Sequence, residues 1–139
     1  MRSRTRFLTR PAVISVVVAV LAVGMLYGGA IRLPLFSDDL VQIPWLESIS
    51  WWELWTSPSP YGYYRPLWYT IWRGWARLAG GLHPRGLHFL NLIAHGLATS
   101  LTGMLAARWL SPGCANSERG YAAGLAASLF VSFPFPRQA

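Results

Sequence analysis

The chain of 139 residues carries a formal net charge of +7, and 53% of its residues are hydrophobic whereas only 12% are charged. This composition is too apolar for a soluble domain, and because the apolar residues stand in blocks, they favour a lipid bilayer as solvent. All the positive charge comes from arginines that flank apolar segments, which argues against nucleic-acid binding, and the single cysteine, Cys114, excludes an internal disulfide and a multi-cysteine metal site.

The first predicted element is a long apolar helix that follows a basic N-terminus. Residues 1–10 contain four arginines, and residues 11–31 contain no charge. At about 1.5 Å per residue, a helix of this length spans a hydrocarbon core of roughly 30 Å. We therefore predict a transmembrane helix at 11–31, with residues 1–10 in the cytoplasm and the next segment outside it. A cleavable signal peptide is the alternative, because Gly28-x-Ala30 offers small residues at a cleavage site.

Residues 32–86 are predicted to form an extracytoplasmic loop with two amphipathic helices, at about 44–55 and 66–79. The loop contains seven of the eight tryptophans and four of the five acids. The second helix is the better defined, because Pro66 suits a first helical turn and the Gly80-Gly81 pair suits a helix end. We expect this helix to lie in the membrane interface, with three tryptophans at the acyl boundary: Trp68, Trp72 and Trp75. We expect this helix to act as a membrane anchor with no chemistry of its own.

Two adjacent acids, Asp38 and Asp39, follow the first apolar run by a few residues. Neighbouring like charges near a low-dielectric boundary resist full ionisation, which tends to raise one carboxyl pKa toward the range useful for a general base. The pair is therefore a candidate catalytic site. A solvated turn with no catalytic role is the alternative interpretation.

A second transmembrane helix is predicted at 87–110, followed by a cytoplasmic loop at 111–119. Its polar residues fall on one stripe of the helix, at i, i+3, i+7, i+11 and i+14: His88, Asn91, His95, Thr99 and Thr102. Such groups are costly in a bilayer unless they face other helices or a wet cavity. Either His95 and Asn91 form hydrogen bonds that hold helices together, or the outer end of the stripe, at His88, borders a functional cavity.

The last apolar segment, residues 120–139, is predicted to be an incomplete third span. Only about fourteen apolar residues precede Pro134 and Pro136, which is too few to cross the bilayer comfortably. We therefore expect the chain to be the N-terminal part of a longer protein, inactive alone and completed by the remaining transmembrane helices. The expected fold class is all-α, integral to the membrane.

Three motifs in this order resemble the start of the GT-C membrane glycosyltransferases. They are Ser37-Asp38-Asp39, Tyr64-Arg65-Pro66-Leu67 and His83-Pro84-x-x-x-His88-x-x-Asn91-x-x-x-His95. The likeness is strongest to the protein O-mannosyltransferase branch that carries tetratricopeptide repeats, and more distant to bacterial aminoarabinose and galacturonic-acid transferases. It covers nearly the whole chain, although Phe130 to Pro134 has phenylalanine where that family has a histidine.

The resemblance implies an inverting transferase of the plasma (inner) membrane that moves a sugar from a polyprenyl-phosphate carrier to an extracytoplasmic acceptor. The family's catalytic carboxylate corresponds to Asp38, with Asp39 second. Tyr64, Arg65 and His88 are the implied substrate-binding residues, and Arg65 is the candidate partner of the lipid phosphate. The lipid-linked sugar is the donor, no metal site or cofactor is predicted, and the metal requirement stays open. The competing hypothesis is a small non-enzymatic multi-pass protein that binds lipid or a partner subunit.

Overall fold

The computed structural model describes residues 9–35, 37–110 and 113–133, and these residues form six α-helices and no strand. The all-α class is therefore confirmed for the described residues. The helices are α1 (Thr9–Tyr27), α2 (Asp38–Ser48), α3 (Trp51–Thr56), α4 (Pro66–Ala79), α5 (Pro84–Trp109) and α6 (Asn116–Ser132), with a 3-10 turn at Gly28–Arg32 after α1. The predictions for residues 1–8 and 134–139 lie outside the described residues.

Two helical segments are long and apolar enough to cross a membrane, by length and composition. They are Arg10–Arg32, with a mean hydropathy of 2.3, and Pro84–Trp109, with a mean hydropathy of 1.3. The second begins three residues before its predicted start, because Pro84 fits the first turn and the Leu87 N–H donates to the His83 carbonyl. The 17 residues of α6 extend about 26 Å, short of a core of roughly 30 Å.

The chain divides into two compact units. The three-helix unit consists of residues 1–28 and 91–139, and the loop unit consists of residues 29–90. Helix α5 contributes its first turns to the loop unit and the rest of its length to the three-helix unit.

Small residues let the helices of the three-helix unit approach closely. A Cβ atom at Gly103 of α5 would lie 2.5 Å from Ser15 Oγ of α1 and 2.7 Å from the Ala123 carbonyl oxygen of α6. Ser15 is fully buried and donates to the Pro11 carbonyl oxygen at 2.8 Å. In a lipid bilayer the hydrophobic effect does not drive helices together, and close packing at small residues is a main source of helix association.

The polar stripe of α5 turns partly toward this helix packing. Thr99 is fully buried and donates to the His95 carbonyl oxygen at 2.8 Å. The His95 ring lies between the rings of Tyr27 and Phe130, at centroid distances of 5.1 and 5.7 Å. Asn91 is exposed. The interpretation that the stripe packs helices therefore holds for the inner residues His95 and Thr99 and not for Asn91.

In the loop unit, the prediction of one helix at about 44–55 is wrong. The structure has two helices, α2 and α3, separated at Ile49 and Ser50. Ser50 Oγ accepts the Glu53 N–H at 3.1 Å, and the Glu53 carboxylate accepts the Ser50 N–H at 2.8 Å. This reciprocal capping box begins a new helix. Pro44 lies inside α2 instead of beginning a helix.

Helix α4 has the predicted bounds, Pro66–Ala79, and ends at Gly80, whose φ of 76° suits glycine. Its tryptophan face packs inside the loop unit, in a core with six buried residues: Leu46, Leu54, Tyr69, Trp72, Leu82 and Leu87. Trp72 is only 5% exposed, and Trp68 and Trp75 are half-buried. The expectation that all three tryptophans enter the acyl boundary is therefore wrong for Trp72.

Candidate functional site

The two candidate catalytic acids begin α2. Asp38 and Asp39 are its first two residues, preceded by Ser37, whose φ of 55° is the only positive value at a described residue other than glycine. Asp39 is half-buried, and the side chain of Asp38 lies outside the described part of the chain. Unpaired N–H groups at a helix start attract negative charge, so the start of α2 is a suitable position for acidic residues.

Tyr64 and Arg65 lie in the connector between α3 and α4. The Tyr64 hydroxyl donates to the Trp55 carbonyl oxygen, and the Arg65 guanidinium lies 4.6 Å from the centre of the Tyr63 ring. Both side chains are exposed. The tyrosine hydroxyl thus helps hold the connector against α3, while the arginine is held by a cation–π contact at the surface.

His88 joins the start of α5 to the segment that follows the 3-10 turn. Its Nε2 lies 3.1 Å from the Leu33 carbonyl oxygen. Because a carbonyl only accepts, Nε2 carries the proton in this hydrogen bond. The hydrogen bond from His88 therefore holds Leu33 next to the first turns of α5.

This hydrogen bond adjoins a cavity of ≈ 330 Å³ whose lining combines two short segments distant in sequence. The lining residues are Ile31, Arg32, Leu33, Pro34, His83, Pro84 and Arg85. It contains two arginines, one histidine and no acid. The cavity also lies at the N-terminal turn of α5, the positive end of the helix dipole. A cluster of guanidinium groups at the positive end of a helix suits an anion, and a phosphate above all.

The first turn of α5 is further shaped by Trp75. A Cβ atom at Gly86 would clash with Trp75 Nε1, so the indole packs directly on the helix backbone where only glycine leaves room. Trp75 also contacts Phe89, at 6.5 Å between ring centroids. Helix α4 thereby fixes the backbone that forms one wall of the cavity.

The sequence interpretation missed this cavity and chose Arg65 as the phosphate partner. Arg32 and Arg85 were visible only as charges in the loop, and His83 only as part of a motif. The available signal was their position, since Arg32 ends the first apolar run and Arg85 immediately precedes the second. Within residues 9–35, 37–110 and 113–133, no group of three or more His, Cys, Asp or Glu side chains could hold a metal ion.

No protein-family model, curated protein or solved structure matches this chain.

Proposed function

We propose that the chain is a multi-pass protein of the plasma (inner) membrane, with a cytoplasmic N-terminus, and that it forms part of an inverting glycosyltransferase. The enzyme would move a sugar from a polyprenyl-phosphate carrier to an extracytoplasmic acceptor. Two helical segments of suitable length support the membrane topology, as do three arginines before the first of them and a fourth, Arg10, at its start. The observation that carries the functional proposal is the cationic cavity at the start of α5.

The cavity fits the phosphate of a lipid-linked donor. As the bond between the sugar and the phosphate breaks, negative charge grows on the departing phosphate, and a guanidinium stabilises this charge with paired hydrogen bonds. Arg32 and Arg85 supply two such groups, one from each of the two segments that line the cavity. Arg65, stacked on Tyr63 at the surface, becomes the secondary candidate for the phosphate contact.

The acid pair lies close to this cavity along the chain. Pro34 lines the cavity and precedes Asp38 by four residues, so even a fully extended chain separates them by at most about 14 Å. In the proposed reaction, Asp38 accepts the proton of the acceptor hydroxyl while that oxygen attacks the anomeric carbon. The attack comes from the face opposite the phosphate, which departs with the bonding electrons, and the configuration inverts.

The second candidate function is non-enzymatic binding of lipid or of a partner subunit. It is favoured by an apolar surface that the loop unit leaves exposed on α3 and α4, where Trp52 is 77%, Leu67 67% and Leu78 86% exposed. Such side chains are typical of a membrane or protein contact. This function predicts that Asp38 and Asp39 are dispensable.

The test of the phosphate site is binding of a polyprenyl phosphate to the full chain in phosphatidylcholine nanodiscs. Removing one charge-assisted contact costs at least about 1.5 kcal/mol, or roughly tenfold in affinity. Arg32→Gln and Arg85→Gln should each weaken binding by at least this factor. Arg77→Gln removes the same charge from an exposed residue stacked on Trp51 and should change binding less than about twofold. Equal affinity in all four proteins would refute the site.

A further inference from the structure

A second cavity lies in the three-helix unit, at the end where α1 begins, α5 ends and α6 begins. It has a volume of ≈ 350 Å³ and is lined by Pro11, Ala12, Leu101, Met104, Leu105, Ala107, Arg108 and Arg119. Its lining is therefore an apolar wall with two guanidinium groups. The volume falls in the range of roughly 300–1,000 Å³ found for small-molecule sites.

The two arginines are positioned differently. Arg119 is half-buried, with Nε and Nη1 each 3.5 Å from a carbonyl oxygen, of Cys114 and Ala107 respectively. These two carbonyl oxygens are neutral acceptors that orient the guanidinium. Arg108 is exposed in the last turn of α5. The side chain is thus free to follow a ligand into the cavity mouth.

Among the described residues, the charged side chains at this end of the unit are mostly basic. Glu118 is the one acid in the sequence of the three-helix unit, and its carboxylate caps α6 by accepting the Ala115 N–H at 2.8 Å. Arg10, at the start of α1, is exposed and lines a neighbouring groove. A ligand that matches this surface has a negative head and an apolar body.

We propose that this cavity binds an anionic glycerophospholipid, with one acyl chain against the apolar wall formed by Ala12, Leu101 and Leu105 and the phosphate on Arg108 and Arg119. Basic pockets between transmembrane helices on the cytoplasmic side bind anionic headgroups, and arginine is suited to phosphate because its planar fork forms paired hydrogen bonds. The site depends on the proposed membrane topology and is independent of sugar transfer. A result that refutes the lipid site therefore leaves the transferase proposal untouched, and a result that refutes sugar transfer leaves the lipid site untouched.

The experiment is native mass spectrometry of the purified full chain released from nanodiscs that contain equal amounts of phosphatidylglycerol and phosphatidylcholine. The chain should retain phosphatidylglycerol in preference to phosphatidylcholine. Arg108→Gln should lower the affinity for phosphatidylglycerol about tenfold, the minimum for one charged contact. Ala12→Phe should lower it comparably by filling the apolar wall while every charge remains.

Arg10→Gln is the matched control, because it removes one exposed arginine from the same end of the unit but outside this cavity. It should change the affinity less than about twofold. An equal loss in Arg10→Gln and Arg108→Gln would overturn the proposal, because the lipid would then be held by diffuse surface charge. Equal retention of the two lipids would also overturn it. Complete displacement of phosphatidylglycerol by millimolar inorganic phosphate would overturn it as well. A dimer of the chain without bound lipid would have the same consequence.

Discussion

Replacing Gly103 by alanine should destabilise the three-helix unit, whereas the same replacement at Gly96, seven residues earlier in α5, should stabilise it. Alanine is favoured over glycine inside a helix by about 1 kcal/mol at either position. At Gly96 nothing lies within 4 Å of the added Cβ, so this gain is expected in full. At Gly103 the added atom meets Ser15 Oγ at 2.5 Å and the Ala123 carbonyl oxygen at 2.7 Å.

The second contact at Gly103 decides the sign. A serine side chain can rotate away, but a backbone carbonyl moves only if α6 moves. Overpacking of this kind costs about 1–3 kcal/mol, which outweighs or cancels the gain in helix propensity. The difference between the two variants should therefore be about 1–3 kcal/mol, or roughly five- to more than a hundredfold in the unfolding equilibrium constant.

The assay is reversible unfolding in mixed micelles of increasing sodium dodecyl sulfate, followed by circular dichroism. Both variants and the parent protein are measured over the same series of detergent concentrations. Equal stability of Gly103→Ala and Gly96→Ala would refute the close approach of α1, α5 and α6. Gly103→Leu should enlarge the loss of stability, because the longer side chain cannot be accommodated by a small shift.

Three further predictions address the loop unit and the topology. The backbone N–H and hydroxyl of Ser50 lower the pKa of Glu53 below its ordinary value of 4.5, so this carboxylate stabilises α3 fully above that pH and the stabilisation is lost as the pH falls through the lowered pKa. A nuclear magnetic resonance titration of the Ser50 amide should follow this loss, and Glu53→Gln should abolish it; an unchanged titration in Glu53→Gln would contradict the capping box. The fluorescence of Trp72 should be quenched less than that of Trp52 by both acrylamide and brominated lipid, as measured in Trp→Phe variants that isolate each tryptophan. Equal quenching of Trp72 and Trp52 would mean that the core of the loop unit is absent. In a Cys114→Ala background, a cysteine at position 60 should react with an impermeant reagent in intact cells and one at position 5 should not, whereas the reverse pattern would invert the topology.

The sequence predicted best the features that depend on local chemistry. Pro66 and Gly80 define the ends of α4 because proline fits a first turn and glycine adopts a positive φ. The break between α2 and α3 was also encoded locally, in Ser50 and Glu53, but the sequence analysis predicted one helix through both residues. Its role as the second half of a capping box was missed.

Features that depend on distant parts of the chain were beyond local patterns. Periodicity identifies the tryptophan face of α4, but whether Trp72 meets lipid or protein is decided by Leu46, Leu54 and the rest of the core. Gly96 and Gly103 give the same small-residue signal, and only the paths of α1 and α6 distinguish them. The cationic cavity joins residues about fifty positions apart, so no window along the sequence contains it.

The measurement that tests the proposed activity most directly is sugar transfer by membranes of the source cells, with the chromosomal gene carrying Asp38→Asn. This change preserves size and most hydrogen bonding but removes the proton acceptor, so transfer from polyprenyl-phosphate-linked sugar should fall about a hundred- to ten-thousand-fold. Asp39→Asn is the matched control and should be mild; a reversed pattern would move the base to Asp39 and keep the enzyme class. Transfer at the parental rate in both variants would contradict the catalytic role of the pair and favour the non-enzymatic function.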